Sequence, residues 1–228
     1  MAVETGRLPA DGVRRMFDRI APVYDAMNRV MTVGLDQRWR AATVRETVQP
    51  GDRILDACCG TGDLAVAAHA AGAGSVVGLD FSEAMLERAR RKAPELTFIQ
   101  GDVLALPFQD ASFDVAVVGF GIRNVADLEA GLRELRRVLR PGGRLGILEI
   151  TTPRGALAPF YRVWFDTVVP LLGRVLPGGE AYTYLPASVR RFPPPEELAA
   201  LFAANGFSRV RYRLFAGGIV ALHVGDAA

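Results

Sequence analysis

The sequence predicts one α/β domain, a mostly parallel sheet covered by helices on both faces and finished by an antiparallel hairpin. Strand-like and helix-like segments alternate through the middle of the chain, the order that parallel strands with helical crossovers produce. The strand-like runs are apolar throughout rather than at every second position, as strands buried on both faces must be. A glycine-rich turn directly after the first run marks the strand ends as a ligand site.

Each element follows from local pattern. Residues 53–57 form a short apolar run, and 63–71 an alanine-rich helix candidate. A second strand over 75–79 leads to a helix over 83–92, and further strands fall at 97–100 and 113–119. Leu128, Leu132, Leu135 and Leu139 recur at helical spacing, and Pro141-Gly142-Gly143 reads as the end of that helix before a fifth strand at 144–150. Residues 157–176 are bulky and aromatic but broken by Pro159 and Pro170. Pro193-Pro194-Pro195 opens a helix over 196–204, which Asn205-Gly206 closes. Residues 207–214 and 219–224, joined through Gly217-Gly218, read as a terminal hairpin that brings the sheet to seven strands. One domain (1–228) thus divides into an N-terminal helical lid (1–50), a core (51–150), a helical insertion (151–195) and a C-terminal helix with hairpin (196–228).

Composition narrows the function classes. A chain of 228 residues suits one well-filled core. Net charge is +2 with both signs interspersed and no basic stripe, so no nucleic-acid partner is expected. No 18-residue apolar run appears, and residues 1–15 lack the apolar segment of a signal peptide, so a cytoplasmic protein is expected. The two cysteines, Cys58 and Cys59, are adjacent and read as small buried or loop thiols; no Cys/His spacing suggests a metal.

The strongest motif is Asp56-Ala57-Cys58-Cys59-Gly60-Thr61-Gly62-Asp63. Gly60 and Gly62 remove side chains where strand turns into helix, so a ligand can approach bare backbone. Asp80 closes the second strand, where a carboxylate can accept from both ribose hydroxyls of an adenosine. Gly60-x-Gly62-x-x-Ala65 also satisfies a relaxed dinucleotide fingerprint, so a nicotinamide-dependent oxidoreductase competes. The acidic Asp56 and Asp63, with the hydroxyl of Thr61 between them, tip the balance, because such a loop does not welcome a pyrophosphate and suits a cofactor carrying an ammonium and a sulfonium. Asp102 can accept from an adenine amino group, with Val103 packed on the ring.

That order of motifs resembles the class I S-adenosylmethionine-dependent methyltransferases over residues 53–150. Residues 17–28 (Phe17-Asp18-Arg19-Ile20-Ala21-Pro22-Val23-Tyr24 and on), Phe120-Gly121-Ile122-Arg123-Asn124-Val125, Tyr182-Thr183-Tyr184-Leu185 and the tail Gly217-Gly218-Ile219-Val220-Ala221-Leu222-His223 are similar to the ubiquinone/menaquinone biosynthesis C-methyltransferase family. This likeness spans nearly the whole chain. Cys58-Cys59, Ile150-Thr151-Thr152 and Gly119 depart from the commoner family residues, which bears on the identity of the quinone more than on the activity.

The resemblance implies a Rossmann-like fold, S-adenosylmethionine as cofactor and no metal. It implies methylation of a ring carbon of a prenylated quinol: demethylmenaquinol, or the equivalent precursor in ubiquinone synthesis. A specialised small-molecule methyltransferase and a catalytically dead scaffold are the rival readings. Carried over residue by residue, Thr61, Asp80, Asp102, Val103 and Gly119 line the cofactor pocket. Arg123 is expected to stabilise a phenolate-like oxygen, directly or through a water, Asn124 to orient the quinol oxygen, and Tyr24 to hydrogen-bond or stack from the lid. Each has an alternative: Arg123 pairing with Asp127, Asn124 capping the next helix, Tyr24 packing the lid. His223 reads as a strand histidine rather than a base. The aromatic segment 155–177 either shields the quinol tail, contacts a bilayer surface peripherally, or is an ordinary core helix. A homodimer stays open.

Overall fold

The computed structural model describes residues 10–153, 158–163, 167 and 179–228. The strands are β1 (Arg53–Ala57), β2 (Ser75–Asp80), β3 (Thr97–Gln100), β4 (Phe113–Gly119), β5 (Leu139–Ile150), β6 (Phe207–Phe215) and β7 (Val220–Ala227). They form one sheet in the order β3-β2-β1-β4-β5-β7-β6. The first five are parallel, and β7 runs antiparallel between β5 and β6. The strand order reverses between β1 and β4, which opens a crevice at their carboxyl ends.

Both faces are covered. Helices α1 (Ala10–Ile20), α2 (Tyr24–Thr32) and α3 (Leu35–Thr47) precede the sheet; α4 (Asp63–Ala70), α5 (Glu83–Lys92) and α6 (Leu128–Val138) connect its parallel strands. Along β4, Val115 and Val117 join an apolar cluster with Ile54, Leu64 and Leu86, whereas Ala116 and Val118 join another with Leu132 and Leu135. Neighbouring residues thus serve opposite cores, which is why the strand runs show no alternation.

The predicted boundary after α6 moves. The helix ends at Val138, and Leu139 already pairs with Phe113; the next rung is Arg144 opposite Val115. Pro141-Gly142-Gly143 therefore sits in an irregularity at the start of β5 rather than at a helix end. Proline has no amide to donate and Gly142 takes φ 73°, so the stretch bulges out of the ladder instead of extending it. Edge strand β6 presents Arg209, Arg211 and Arg213 to solvent, charges that discourage pairing with another sheet.

After β5 come α7 (Ala158–Val163) and α8 (Gly179–Arg191), then α9 (Pro195–Ala204) ahead of the hairpin. Most of segment 155–177, including Trp164, Phe165, Leu171 and Leu172, lies outside the described residues. Among the described residues no helix is long and apolar enough to cross a membrane.

Candidate active site

β1 runs into α4 through a turn built at unusual dihedrals. Cys58, Gly60 and Gly62 all have positive φ, at 55°, 54° and 81°. A Cβ on Gly62 would lie 3.0 Å from the Phe98 ring and 3.2 Å from Ala89 Cβ, so glycine there lets the turn pack against β3 and α5. Asp56 points beneath the turn: its Oδ2 accepts from the Ala65 amide at 2.9 Å, and its Oδ1 is buried without a partner among the described residues. Asp56 and Gly62 build the floor of the site but do not line it.

Burial pushes the Asp56 carboxyl up to about 7, with the carboxylates of Asp80 and Asp63 adding to it against the pull of Arg40. A raised folded-state pKa makes the ionised form costly: that stability is present below about 4 and is lost as pH rises through about 7. Replacing Asp56 by Asn removes the titration. Urea unfolding at pH 5 and pH 8 should show the Asp56→Asn variant gaining a few kcal/mol on wild type between the two conditions, whatever the offset at pH 5. A constant difference would show that Asp56 does not titrate in that window.

Gly60, Thr61, Asp80, Asp102, Val103 and Gly119 line a cavity at the carboxyl ends of β1 to β4. Asp80 Oδ2 accepts from the Gly60 amide at 2.8 Å and Oδ1 from the Ser82 amide at 2.9 Å. The Phe81 amide also contributes a hydrogen bond, and the acceptor capacity that remains is available to a ligand in the cavity. Burial pushes this carboxyl up to about 6, opposed by those amide bonds. Asp102 is exposed at the rim and accepts from the Leu104 amide at 2.9 Å, while Val103 is buried. A Cβ at Gly119 would fall 2.6 Å from Leu64 Cδ1 and 3.1 Å from Arg40 Nη1, so that wall admits no side chain without rearrangement.

All three N-terminal helices reach this cavity, through Phe17, Tyr24 and Arg40. Polar contacts tie them to the core. Ser82 Oγ donates to Asp18 at 2.6 Å, and Thr61 Oγ1 donates to Asp25. Lys92 Nζ lies 2.8 Å from Asp25 and 2.6 Å from Asp63. Although partial burial works the other way, Lys92 and Thr61 hold the Asp25 carboxyl below its usual range. Arg40 is almost wholly buried, its Nε 3.8 Å from both Asp36 and Asp63 but without a hydrogen bond among the described residues. Sequence reasoning missed Arg40, because nothing in its spacing ties a helix residue of the lid to a turn more than twenty positions on.

Beside this cavity lies a second of about 380 Å³, mostly apolar, between α1–α3, α8 and the turn after β6. Phe17, Tyr24 and Phe120 border both. Phe120 has φ 61°, a strained conformation for an aromatic residue, where β4 leaves the sheet. Arg123 lines the apolar cavity. Its Nη1 lies 2.8 Å from Glu149 Oε1 and also donates to the Phe120 carbonyl, both Arg123 and Glu149 side chains being under a tenth exposed. Desolvation works against its charge, yet Glu149 holds the Arg123 guanidinium above its ordinary value. Its Nε is buried with no partner among the described residues.

Two expected alternatives are corrected. Asp127 does not pair with Arg123; it caps α6, accepting from the Ala130 amide at 2.9 Å. Asn124 therefore is not the cap. It closes a short turn (Ile122–Asn124) and faces the first cavity, its Oδ1 buried and unpartnered among the described residues. Tyr24 meets Phe17 edge to face at 6.2 Å, so it packs the lid and borders the cavities at once. His223 Nε2 sits 2.9 Å from the Pro195 carbonyl and its ring stacks on Tyr212, away from both cavities. Burial raises both cysteine thiols, which keeps them protonated.

A seven-stranded sheet of this order, with a buried carboxylate at the end of β2 and a glycine turn after β1, defines the class I methyltransferase fold. A SAM-dependent methyltransferase from Thermotoga maritima superposes with TM-score 0.69 at 22% identity, over 94% of this chain and 99% of that one; the likeness speaks for the fold alone. The chain belongs to the ubiE/COQ5 methyltransferase family, whose model matches residues 5–227. It is similar to a demethylmenaquinone methyltransferase of Thermus thermophilus, at 50% identity over 92% of this chain and 99% of the relative. It is also similar to a ubiquinone/menaquinone biosynthesis C-methyltransferase UbiE of Syntrophotalea carbinolica, at 43% identity over 95% and 94%. The chain is accordingly an enzyme, an S-adenosylmethionine-dependent methyltransferase.

Proposed function

We propose that the chain methylates a ring carbon of a prenylated quinol, converting demethylmenaquinol to menaquinol. The observation that carries this reading is the pair of cavities sharing Phe17, Tyr24 and Phe120, one polar-rimmed and one apolar with a buried guanidinium in its wall. The first suits S-adenosylmethionine. Asp80 has open acceptor sites for a ribose diol, Val103 an apolar face for adenine, and Asp102 an acceptor at the rim. Arg40 and Asp63 offer one charge of each sign to an amino-acid group. Bound there, the cofactor supplies an electrophilic methyl group on a sulfonium.

The chain's own work is to make a ring carbon nucleophilic and hold it still. Arg123 stabilises negative charge on a ring oxygen, and Glu149 fixes the plane of the guanidinium. The unpartnered Oδ1 of Asn124, in the wall of the first cavity, accepts a hydrogen bond from a ring hydroxyl and so orients the quinol. Tyr24 and Phe120 wall the ring, and the remaining apolar surface takes the isoprenoid tail.

Incubation with S-adenosylmethionine and chemically reduced demethylmenaquinone should add one methyl to the naphthoquinol by mass spectrometry, with a benzoquinol analogue run in parallel. Methylation of the benzoquinol alone would move the activity to ubiquinone synthesis. If neither gains mass while cofactor binds, the substrate reading is wrong.

A further inference from the structure

The end of α2, the turn after it and the start of α3 carry three exposed aliphatic residues: Val30 is 70% exposed, Val33 87% and Leu35 37%. Val33 is also strained. It ends α2 in the left-handed region, at φ 51° and ψ 37°, where a β-branched residue is disfavoured and Asn or Gly fits readily. A bulky apolar side chain held in water at a backbone cost calls for a use that folding does not supply. Val33 and Leu35, together with Met27 and Met31, line the apolar cavity, so the exposed turn is also part of its mouth. The exposed charges on α1–α3 are mostly cationic, with Arg29 and Arg38 flanking the turn in sequence. Arg14, Arg15, Arg19, Arg29, Arg38 and Arg45 are exposed there against one exposed acid, Asp11. The chain as a whole is nearly balanced at +2, so this is local segregation rather than general basicity.

We propose that the turn at Val30–Leu35 docks on an anionic lipid surface, seating the mouth of the apolar cavity at the bilayer so that a prenylated quinol enters without crossing water. The passage of the quinol rests on the substrate reading above; the docking rests on the turn itself. Apolar side chains enter the acyl boundary while the flanking arginines stay among the headgroups, the arrangement that peripheral proteins use. A bilayer fits better than a second copy of the chain, because a matching cationic face would repel this one.

The test is co-sedimentation of the full chain with phosphatidylcholine vesicles, with and without phosphatidylglycerol, in the absence of cofactor and quinol. The wild type is expected to bind the anionic vesicles and to be released by salt. Val30→Gln with Val33→Asn should lower its partition on the order of ten-fold. The thermal midpoint of that variant should not fall, since Asn accepts the left-handed conformation and Gln suits the helix. Arg29→Gln with Arg38→Gln should cost about ten-fold on anionic vesicles and little on neutral ones. Equal sedimentation of wild type and the valine variant overturns the proposal. So does a wild-type dimer in ultracentrifugation that the valine variant splits, which assigns the turn to a second copy. No quinol is present, so failure of prenylated quinols as substrates leaves this readout intact and the two readings fall separately.

Discussion

Replacing Arg123 by Ala is expected to slow methyl transfer by about 100- to 1,000-fold, the usual effect of removing a preorganised donor from a developing oxyanion. Affinity for S-adenosylmethionine should stay near wild type, because Arg123 lines the apolar cavity and not the one ringed by strand ends. The same variant should unfold more easily, by about 3–5 kcal/mol, since Glu149 is left buried without its cation. Lost activity and lost stability then need separating. Arg123→Met combined with Glu149→Leu removes both charges, and apolar replacements of a buried pair commonly restore stability. Urea unfolding should show the double variant recovering most of what Arg123→Ala loses, while turnover of reduced demethylmenaquinone stays low. Recovery of turnover along with stability would reduce Arg123 and Glu149 to a structural pair.

The second large effect concerns Asp80. Changing it to Ala should weaken S-adenosylmethionine binding by about 100-fold in calorimetry, the scale of two hydrogen bonds to a charged acceptor. The loop feels the change too, because the Gly60 and Ser82 amides both lose their acceptor. pH gives an independent check. With the carboxyl pushed up to about 6 by burial, its protonated form grows as pH falls through 6 and the acceptor for a ribose diol is lost. Wild-type affinity should therefore decline from pH 7.5 toward about pH 5, and the Asp80→Ala variant should show no such slope. Stability runs the other way: a raised carboxyl favours the folded state below about 4, and that contribution is lost as pH rises through about 6. Binding and unfolding measured together thus separate a ligand effect from a folding effect.

Most of the strand and helix positions were legible in the sequence because their causes are local. Apolar runs bounded by turn residues located β1 to β4 as the structure has them, within a residue at the end of β2. Pro193-Pro194-Pro195 and Asn205-Gly206 likewise bracketed α9. The start of β5 was misread since Pro-Gly-Gly looks like a helix stop, whereas pairing of Leu139 with Phe113 draws the strand back past it. Hydrogen bonds to a neighbouring strand outweighed the local signal there.

Within the site, sequence alone determined the glycine turn, the strand-end carboxylates Asp80 and Asp102, and the Phe-Gly-Ile-Arg-Asn segment after β4, each a matter of short spacing along the chain. Tertiary structure decided the partners. Arg123 found Glu149 at the end of β5 rather than Asp127 four residues away, because β4 and β5 are adjacent and parallel and their ends lie side by side. Asn124 turned to one cavity and Arg123 to the other, although they are neighbours, because a tight turn aims successive side chains apart. Arg40 reached the glycine turn, and Val33 the mouth of the apolar cavity, only once the first helices had packed across the strand ends. Spacing along a chain sets what one element can be; which side chains meet between elements depends on how those elements pack, and no local pattern encodes it.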